Sequence, residues 1–271
     1  MNIIQIEDPD DVRIAEYRNI PDPDLMARQG LFVAEGRIVV ERLLTRSRFE
    51  TRSVLITQAA LAALNDVLEP RTDLPVYLVQ KPLINTITGF HIHQGCLALG
   101  VRSPLRSWME IAASAQRLIV LEHVSDADNV GSIFRNAAAF HLDGILLGPS
   151  CTDPLYRKAI RTSMGASLML PFAEIGPWPD AINRLQDAGF ATIALTPRAS
   201  APLIRNIATT TAGQRTALVL GHEGAGLSDA VLQACDYQAR IPVAPEVDSI
   251  NVATAAAIAL YELQRGEIAA L

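Results

Sequence analysis

The chain has 271 residues, of which 49% are hydrophobic, and its formal net charge is −6 at pH 7. This length and apolar content suffice for one large domain or two smaller ones with a real core. No window approaches eighteen consecutive apolar residues, and the first residues lack the basic and apolar segments of a signal peptide, so neither a membrane span nor secretion is expected. The negative net charge argues against broad non-specific attraction to nucleic acid, although a local basic patch could still bind it.

Three cysteines, Cys96, Cys151 and Cys235, are widely spaced along the chain. Their spacing shows no metal-ligand pattern, and no metal is expected. Unpaired cysteines of this kind are typical of a reduced compartment, so we predict a cytoplasmic protein.

The N-terminal third shows a change at residue 31. Residues 1–30 are polar, and Pro21 and Pro23 are expected to interrupt any long helix. Beyond them, apolar runs and helical periodicity predict strands at 31–34, 54–56, 76–79 and 97–101, and helices after Gly36 and at 58–68. The composition of 103–107 is that of a linker. We therefore predict an extension over 1–30, a small domain over 31–102, a linker with a helix over 103–116 and a second domain over 117–271.

The second domain alternates strands with helices. Strands are predicted at 118–121, 144–147, 168–172, 191–195 and 218–220, and helices at 130–140, 154–163, 178–188 and 252–265. This alternation predicts an α/β fold with a parallel sheet and helices on both faces. Ligands of such sheets lie beyond the carboxyl ends of the strands, so we expect a site at loops 221–228 and 242–250.

The first polar cluster follows the strand at 118–121. Asn129 is suited to cap the following helix. Arg135 lies in an otherwise apolar helix, where a single arginine is usually a surface residue with an extended stem. However, Ser132, Arg135 and Asn136 are three or four positions apart and share one side of the helix near the expected ligand end. A surface role and a functional role both remain open at this point.

The second cluster is Gly-His-Glu-Gly-Ala-Gly at 221–226. It is not the glycine pattern of a dinucleotide site, and no Gly-Lys-Ser/Thr follows it, so an NAD or ATP site is disfavoured. A tight turn and a ligand-binding loop are both consistent with these glycines. Glu223 is expected to bind loop backbone or an arginine such as Arg135.

The third cluster spans residues 241–253. Pro242 and Pro245 stiffen this loop, and Ser249 or Asn251 is expected to cap the last helix. That helix is apolar nearly all round, which predicts that it is buried against the loops, a second subunit, or both.

With these clusters in this order, the chain resembles the SpoU/TrmH branch of the SPOUT RNA methyltransferases. The similar segments in the second domain are 129–136, 220–228, 241–242 with 249–253, and Arg-Thr-Ser-Met-Gly-Ala-Ser at 161–167. In the first domain, Phe-Val-Ala-Glu-Gly-Arg at 32–37 and His-Gln-Gly-Cys-Leu-Ala at 93–98 are similar to the small RNA-binding domain of many members. The resemblance covers roughly residues 30–265.

The resemblance implies a C-terminal SPOUT domain with a deep trefoil knot, preceded by a small α/β domain like ribosomal protein L30. Knots are rare among proteins, so this expectation depends wholly on the resemblance. The resemblance also implies a homodimer through the C-terminal domain, with the first motif of one subunit completing the site near the other.

The implied cofactor is S-adenosylmethionine, held by the loops of the second and third motifs. Carried over by position, main chain at Leu220, Gly221, Ile241 and Ile250 holds its adenosine part. The full set of cofactor residues is Leu220, Gly221, Glu223, Gly224, Ile241, Val243, Ser249, Ile250 and Asn251.

The implied reaction is methylation of a ribose 2′-hydroxyl in structured RNA, with ribosomal RNA the first expectation and transfer RNA the second. Arg135 is the implied catalytic residue, oriented with its substrate by Asn129, Glu223, Ser249 and Asn251. Its guanidinium is hard to deprotonate. It acts either as a base helped by the substrate phosphate or, as we favour, as a cation that grips the phosphate and stabilises the developing alkoxide.

Two alternatives compete with this hypothesis: an inactive RNA-binding protein with the same fold, and an α/β enzyme that uses another small ligand. RNA affinity draws on phosphate neutralisation. Two groups of basic residues are suited to supply it, although solvated helix surface explains both equally well: Arg42, Arg46, Arg48 and Arg52, and Arg157, Lys158 and Arg161.

Overall fold

A computed structural model of the chain describes residues 1–18, 21–89, 91–92, 94–244 and 246–269, without the side chains of 266–269. His93 and Pro245, which belong to two of the clusters above, lie outside the described residues. The chain forms two compact units, Met1–Pro104 with Asp153–Met169, and Leu105–Thr152 with Leu170–Leu271.

The first unit is a mixed five-stranded sheet with helices. Its strands are β1 (Asn2–Gln5), β2 (Leu31–Glu35), β3 (Glu50–Thr57), β4 (Pro75–Val79) and β5 (Cys96–Val101). Its helices before the linker are α1 (Asp22–Gln29), α2 (Arg37–Thr45), α3 (Gln58–Leu68) and α4 (Lys81–Thr88), with a 3-10 helix at Val12–Tyr17. The strand order is β1-β4-β3-β5-β2. Strand β4 is parallel to both neighbours, whereas β5 is antiparallel to β3 and β2.

The N-terminal residues are more ordered than their composition predicts. Strand β1 pairs with the outer edge of β4, and Ile6 and Ile14 are buried in the core of this unit. Pro23 does not prevent α1, because it lies in the first turn, where a helix needs no N–H donor from it. Residues 1–30 thus contribute a strand and a short helix to the first unit.

The second unit contains a six-stranded sheet. From residue 105 the chain forms α5 (Trp108–Ser114), β6 (Arg117–Leu121), α6 (Ala127–Ala139), β7 (Gly144–Leu147), α7 (Arg157–Thr162), β8 (Phe172–Glu174), α8 (Ala181–Asp187), β9 (Phe190–Leu195), α9 (Ile204–Thr210), β10 (Arg215–Leu220), α10 (Asp229–Ala234), β11 (Tyr237–Ala239) and α11 (Val252–Ala269). The strand order is β11-β9-β10-β6-β7-β8, and every neighbouring pair is parallel. The predicted α/β class and parallel sheet are confirmed.

The crossover between β7 and β8 belongs to the first unit, although the sequence analysis places it in the second domain. The Arg157 N–H donates to Asp22 Oδ2 at 2.9 Å, and Arg42 Nη1 donates to the Met164 carbonyl at 2.6 Å. The strand expected at 168–172 is also displaced. A 3-10 helix occupies Ala166–Leu168, and β8 begins only at Phe172.

Helix α11 begins at Asn251, whose Oδ1 accepts from the N–H groups of Ala253 and Thr254 at 2.9 and 3.2 Å. This confirms one of the two predicted caps. The helix is buried on one face only, since Ile258 and Tyr261 remain 37% and 51% exposed. Within the described part of the chain, no helix combines the length and apolarity that crossing a membrane requires.

Candidate active site

A cavity of about 310 Å³ lies in the second unit, beyond the carboxyl ends of β9, β10 and β11. Three loops form it: 196–198 after β9, 221–227 after β10, and 241–250 between β11 and α11. Parallel strands bring their carboxyl ends to one edge of the sheet, which is why loops distant in sequence meet here. The size is within the range of small-molecule sites.

The loop prediction and the cavity coincide closely. Eight residues of the predicted cofactor set line the cavity: Leu220, Gly221, Glu223, Gly224, Ile241, Val243, Ser249 and Ile250. Asn251, the ninth, is not among its lining residues and instead caps α11. The cavity wall also has apolar residues, including Leu195 and Leu232, beside the main chain of the glycine-rich loop.

The glycine-rich loop is narrow at its base. A Cβ at Gly221 would lie 2.4 Å from the carbonyl carbon of Gly226 and 2.5 Å from the Leu227 nitrogen, so any side chain there displaces the backbone. Gly226 has φ +71°, which favours glycine. The loop is thus a tight turn as well as a cavity wall, and its binding of a ligand stays a prediction.

A chain of hydrogen bonds joins the three predicted motifs. Asn129 Nδ2 donates to Glu223 Oε1 at 2.7 Å, and Asn251 Nδ2 donates to Asn129 Oδ1 at 2.7 Å. Because Asn251 also caps α11, the first turn of α6, the glycine-rich loop and the start of α11 are held together. Asn129, Glu223 and Asn251 are therefore brought together as predicted.

Two other predictions for these residues are wrong: that Asn129 caps α6, and that Glu223 binds an arginine such as Arg135. The cap of α6 is Asp126, whose Oδ1 accepts from the N–H groups of Asp128 and Asn129 at 2.7 and 3.2 Å. Asn129 thus lies inside the helix, which frees its amide to reach Glu223. The partner of Glu223 is that amide and not Arg135.

Arg135 is separate from the cavity. It is exposed on α6, it does not line the cavity, and within the described residues its side chain makes no hydrogen bond or ion pair. Its neighbour Asn136 does not line the cavity either, and Asn136 Nδ2 donates to the Ala253 carbonyl at the start of α11 at 2.8 Å. That Arg135 and Asn136 face the ligand end together stays a prediction.

Glu122 is a further polar residue of this region to which the sequence analysis gives no role. Its side chain is buried, and Oε1 accepts from Trp178 Nε1 and Ser228 Oγ, both at 2.8 Å. Oε2 accepts from the Ser228 N–H at 2.8 Å. The carboxylate thereby fixes the far end of the glycine-rich loop, and the signal in the sequence is a glutamate directly after a buried strand.

Thiol and metal chemistry find little support near this cavity. Burial, with smaller contributions from the charges of Glu122 and Glu223, raises the pKa of Cys151 to about 11. The thiol is consequently protonated at neutral pH. The described residues contain no cluster of three or more histidine, cysteine or acidic side chains suited to a metal ion.

Most arginines of the two predicted basic groups have partners in the first unit. Arg52 pairs with Glu16 at 3.3 Å, and Arg157 and Arg161 lie 4.0 and 3.7 Å from Glu35 Oε2. Arg42 binds the Met164 carbonyl, as described above. Arg48 lies over the ring of Phe49, with 4.7 Å between its guanidinium carbon and the ring centroid. Arg46 is exposed and makes no side-chain contact of this kind among the described residues.

A solved structure shares the fold of this chain. The structure of an rRNA methyltransferase from Sinorhizobium meliloti, determined with bound AdoMet, is similar with a TM-score of 0.81 and 24% identity, covering 97% of this chain and 98% of the other. The chain therefore has the overall fold of that enzyme.

The sequence defines the family. The model of the SpoU rRNA methylase family matches residues 116–261, and the chain belongs to this family. An uncharacterized tRNA/rRNA methyltransferase of Mycobacterium bovis is 39% identical over 98% of this chain and 93% of its own length. The 23S rRNA (guanosine(2553)-2′-O)-methyltransferase of Bacillus subtilis is 25% identical over 96% of this chain and 99% of its own.

The predicted family, and with it an RNA methyltransferase of the kind that uses S-adenosylmethionine, is confirmed. The trefoil knot, the likeness of the first unit to ribosomal protein L30, the homodimer, the cytoplasmic location and the individual residue roles stay predictions.

Proposed function

We propose that this protein methylates a ribose 2′-hydroxyl of ribosomal RNA with S-adenosylmethionine as methyl donor. The observation that carries the proposal is the cavity at the carboxyl edge of the parallel sheet, lined by both predicted cofactor loops. The Bacillus subtilis relative, a 2′-O-methyltransferase of 23S rRNA, supports both the methylated atom and the class of RNA.

The cavity suits this cofactor. Its glycine-rich side brings main chain close to a ligand, since no Cβ stands on Gly221, Gly224 or Gly226. Its other side has Leu195, Leu232 and Ile241, which are suited to an adenine ring. S-adenosylmethionine supplies an electrophilic methyl group on a sulfonium. We infer that main chain at Leu220, Gly221, Ile241 and Ile250 holds its adenosine part.

The chain's own residues prepare the hydroxyl acceptor. Glu223, held by the Asn129 amide, provides fixed negative charge at the cavity wall. Ser249 lines the cavity from the opposite loop and is suited to hydrogen-bond substrate or cofactor. Arg135 stays charged, binds the RNA phosphate and stabilises the negative charge that develops on the 2′-oxygen. The 2′-oxygen would form its bond to the methyl carbon as the S–C bond of the sulfonium breaks, with S-adenosylhomocysteine as the leaving group and the hydroxyl proton passing to water.

The separation of Arg135 from the cavity supports a dimeric site. We infer that Arg135 of one subunit completes the site of a second copy, and that α11 forms part of the interface. Ile258 and Tyr261 on the open face of α11 are large side chains left exposed in the single chain. Burying such residues is what a stable homodimer interface requires.

Methyl transfer tests the proposal directly. The protein is incubated with radiolabelled S-adenosylmethionine and ribosomal RNA from a strain lacking the corresponding enzyme, and label is mapped to ribose or base. Incorporation at one 2′-hydroxyl is the expected result. Calorimetric binding of the cofactor without incorporation into ribosomal RNA, precursor particles or transfer RNA contradicts the proposed reaction. Failure to bind the cofactor as well points to an RNA-binding protein without activity.

A further inference from the structure

His222 has three hydrogen bonds within the glycine-rich loop that it opens. Its Nδ1 accepts from the N–H groups of Gly224 and Ala225 at 2.8 and 3.2 Å. Its carbonyl accepts from the Gly226 N–H at 2.9 Å. One residue thus satisfies three consecutive amides of a loop that lines the cavity.

We propose that His222 is a positioning residue that shapes the cofactor loop, and that it does so only as a neutral imidazole. The inference rests on the proposed use of this loop for S-adenosylmethionine. Two N–H groups directed at Nδ1 require a lone pair there, so the ring proton of the neutral form is on Nε2. A second proton would go to Nδ1, and that nitrogen would then face two donors as a donor itself.

The surroundings of the ring do not remove this conflict. Glu223 Oε2 lies 4.0 Å from Nε2, on the side of the ring away from the two amides. The other charged residues lining the cavity are Arg198, which pairs with Asp229, and Asp248 in the loop before α11. The two hydrogen bonds at Nδ1 are therefore the direct contacts by which the ring shapes the loop.

An asparagine at this position tests whether a hydrogen-bond acceptor in the place of Nδ1 is sufficient to shape the loop. Its Oδ1 takes approximately the place of Nδ1, accepts two hydrogen bonds and does not titrate. His222→Asn is expected to bind S-adenosylmethionine within about threefold of the wild type at pH 8. His222→Ala loses both bonds and is expected to bind roughly tenfold or more weakly. His141→Asn, at an exposed histidine outside the cavity with φ +55°, is the matched control.

Calorimetry of cofactor binding at pH 8 is the first measurement. The wild type, His141→Asn and His222→Asn are expected to bind with similar affinity and His222→Ala more weakly. Equal affinity of His222→Ala and the wild type, or a loss in His222→Asn as large as that in His222→Ala, overturns the inference.

Amide hydrogen exchange at Gly224 and Ala225, measured without cofactor, keeps this test independent of the proposed function. Protection is expected in the wild type and in His222→Asn at pH 8, and its loss in His222→Ala. If no cofactor binds to the wild type, the proposed function fails while exchange still decides the role of His222. Unchanged protection in His222→Ala contradicts that role.

Discussion

The Asn129 amide donates to the Glu223 carboxylate at 2.7 Å across 94 positions of sequence. This single bond joins the first turn of α6 to the loop after β10. Asn129 Oδ1 in turn accepts from Asn251 Nδ2, and this second hydrogen bond extends the connection to α11. The site is thus one connected unit, and disturbing its centre is expected to affect all three loops.

Replacing Asn129 by aspartate tests this connection. Asn129→Asp keeps the shape of the side chain but replaces the donor Nδ2, which faces Glu223 Oε1, with a carboxylate oxygen. Loss of the bond and like-charge repulsion are expected to lower methyl transfer by at least about 100-fold, equivalent to roughly 3 kcal/mol. Radiolabel incorporation measures it. Asn65→Asp, on the exposed face of α3, serves as control, and equal activity of the two variants contradicts the prediction.

A methyl group at Gly221 is expected to clash with the backbone at the narrow base of the glycine-rich loop. The Cβ of Gly221→Ala would lie 2.4–2.5 Å from backbone atoms of Gly226 and Leu227, which are not free to move aside. Cofactor affinity is expected to fall by about 100-fold or more, as measured by calorimetry. At Gly176 no atom lies within 4 Å of an added Cβ, so Gly176→Ala provides the comparison. Normal cofactor binding by Gly221→Ala argues against the observed loop geometry.

Arg135 is expected to affect chemistry without affecting cofactor binding. Because Arg135 lies outside the cavity, Arg135→Ala should bind S-adenosylmethionine within about twofold of the wild type and lose methyl transfer by roughly 100-fold to 1,000-fold. Calorimetry and radiolabel incorporation separate the two effects. Arg205→Ala removes another exposed arginine, on α9, and should retain both functions. Retained transfer in Arg135→Ala assigns the chemistry to another residue.

Subunit mixing examines the dimeric site. If Arg135 acts across the interface, a heterodimer of Arg135→Ala with Gly221→Ala contains one intact composite site, formed by Arg135 of one subunit and the loop of the other. Because random mixing makes about half of the dimers heterodimers, each with one intact site of two, mixed and refolded subunits are then expected to regain about a quarter of the wild-type activity, whereas each variant alone stays inactive. Mixed subunits without activity place Arg135 with the loop of its own chain.

Arg46 is the best test of the predicted RNA contact in the first unit, since Arg42, Arg48 and Arg52 have partners. Arg46→Glu is expected to weaken RNA binding and to lower the slope of log affinity against log salt by about one or more. Filter binding over a range of salt measures this. Arg28→Glu is matched, because Arg28 is also exposed near the end of a short helix. The same slope in the wild type and Arg46→Glu excludes this contact.

The motifs themselves were predictable from the sequence. Gly221 and Glu223 follow the apolar strand β10 of a parallel sheet, and strand–helix alternation alone places such a loop at one edge. Ile241 and Ser249 follow β11 (Tyr237–Ala239), a short strand without an apolar run, which was not predicted. Hydrophobic runs likewise locate most strands, because burial on both faces leaves a continuous apolar signature that needs no knowledge of partners.

Tertiary structure decided the contacts between these loops. Asp126 and Asn129 are both able to cap a helix, and only the backbone path shows that Asp126 does so and that Asn129 is free for Glu223. Strand β1 and the placement of 153–169 were likewise hidden, since edge pairing and packing with a distant unit depend on long-range contacts. Local sequence determines which residues favour turns, strands and caps, whereas hydrogen-bond partners far apart in the chain are chosen by the fold as a whole.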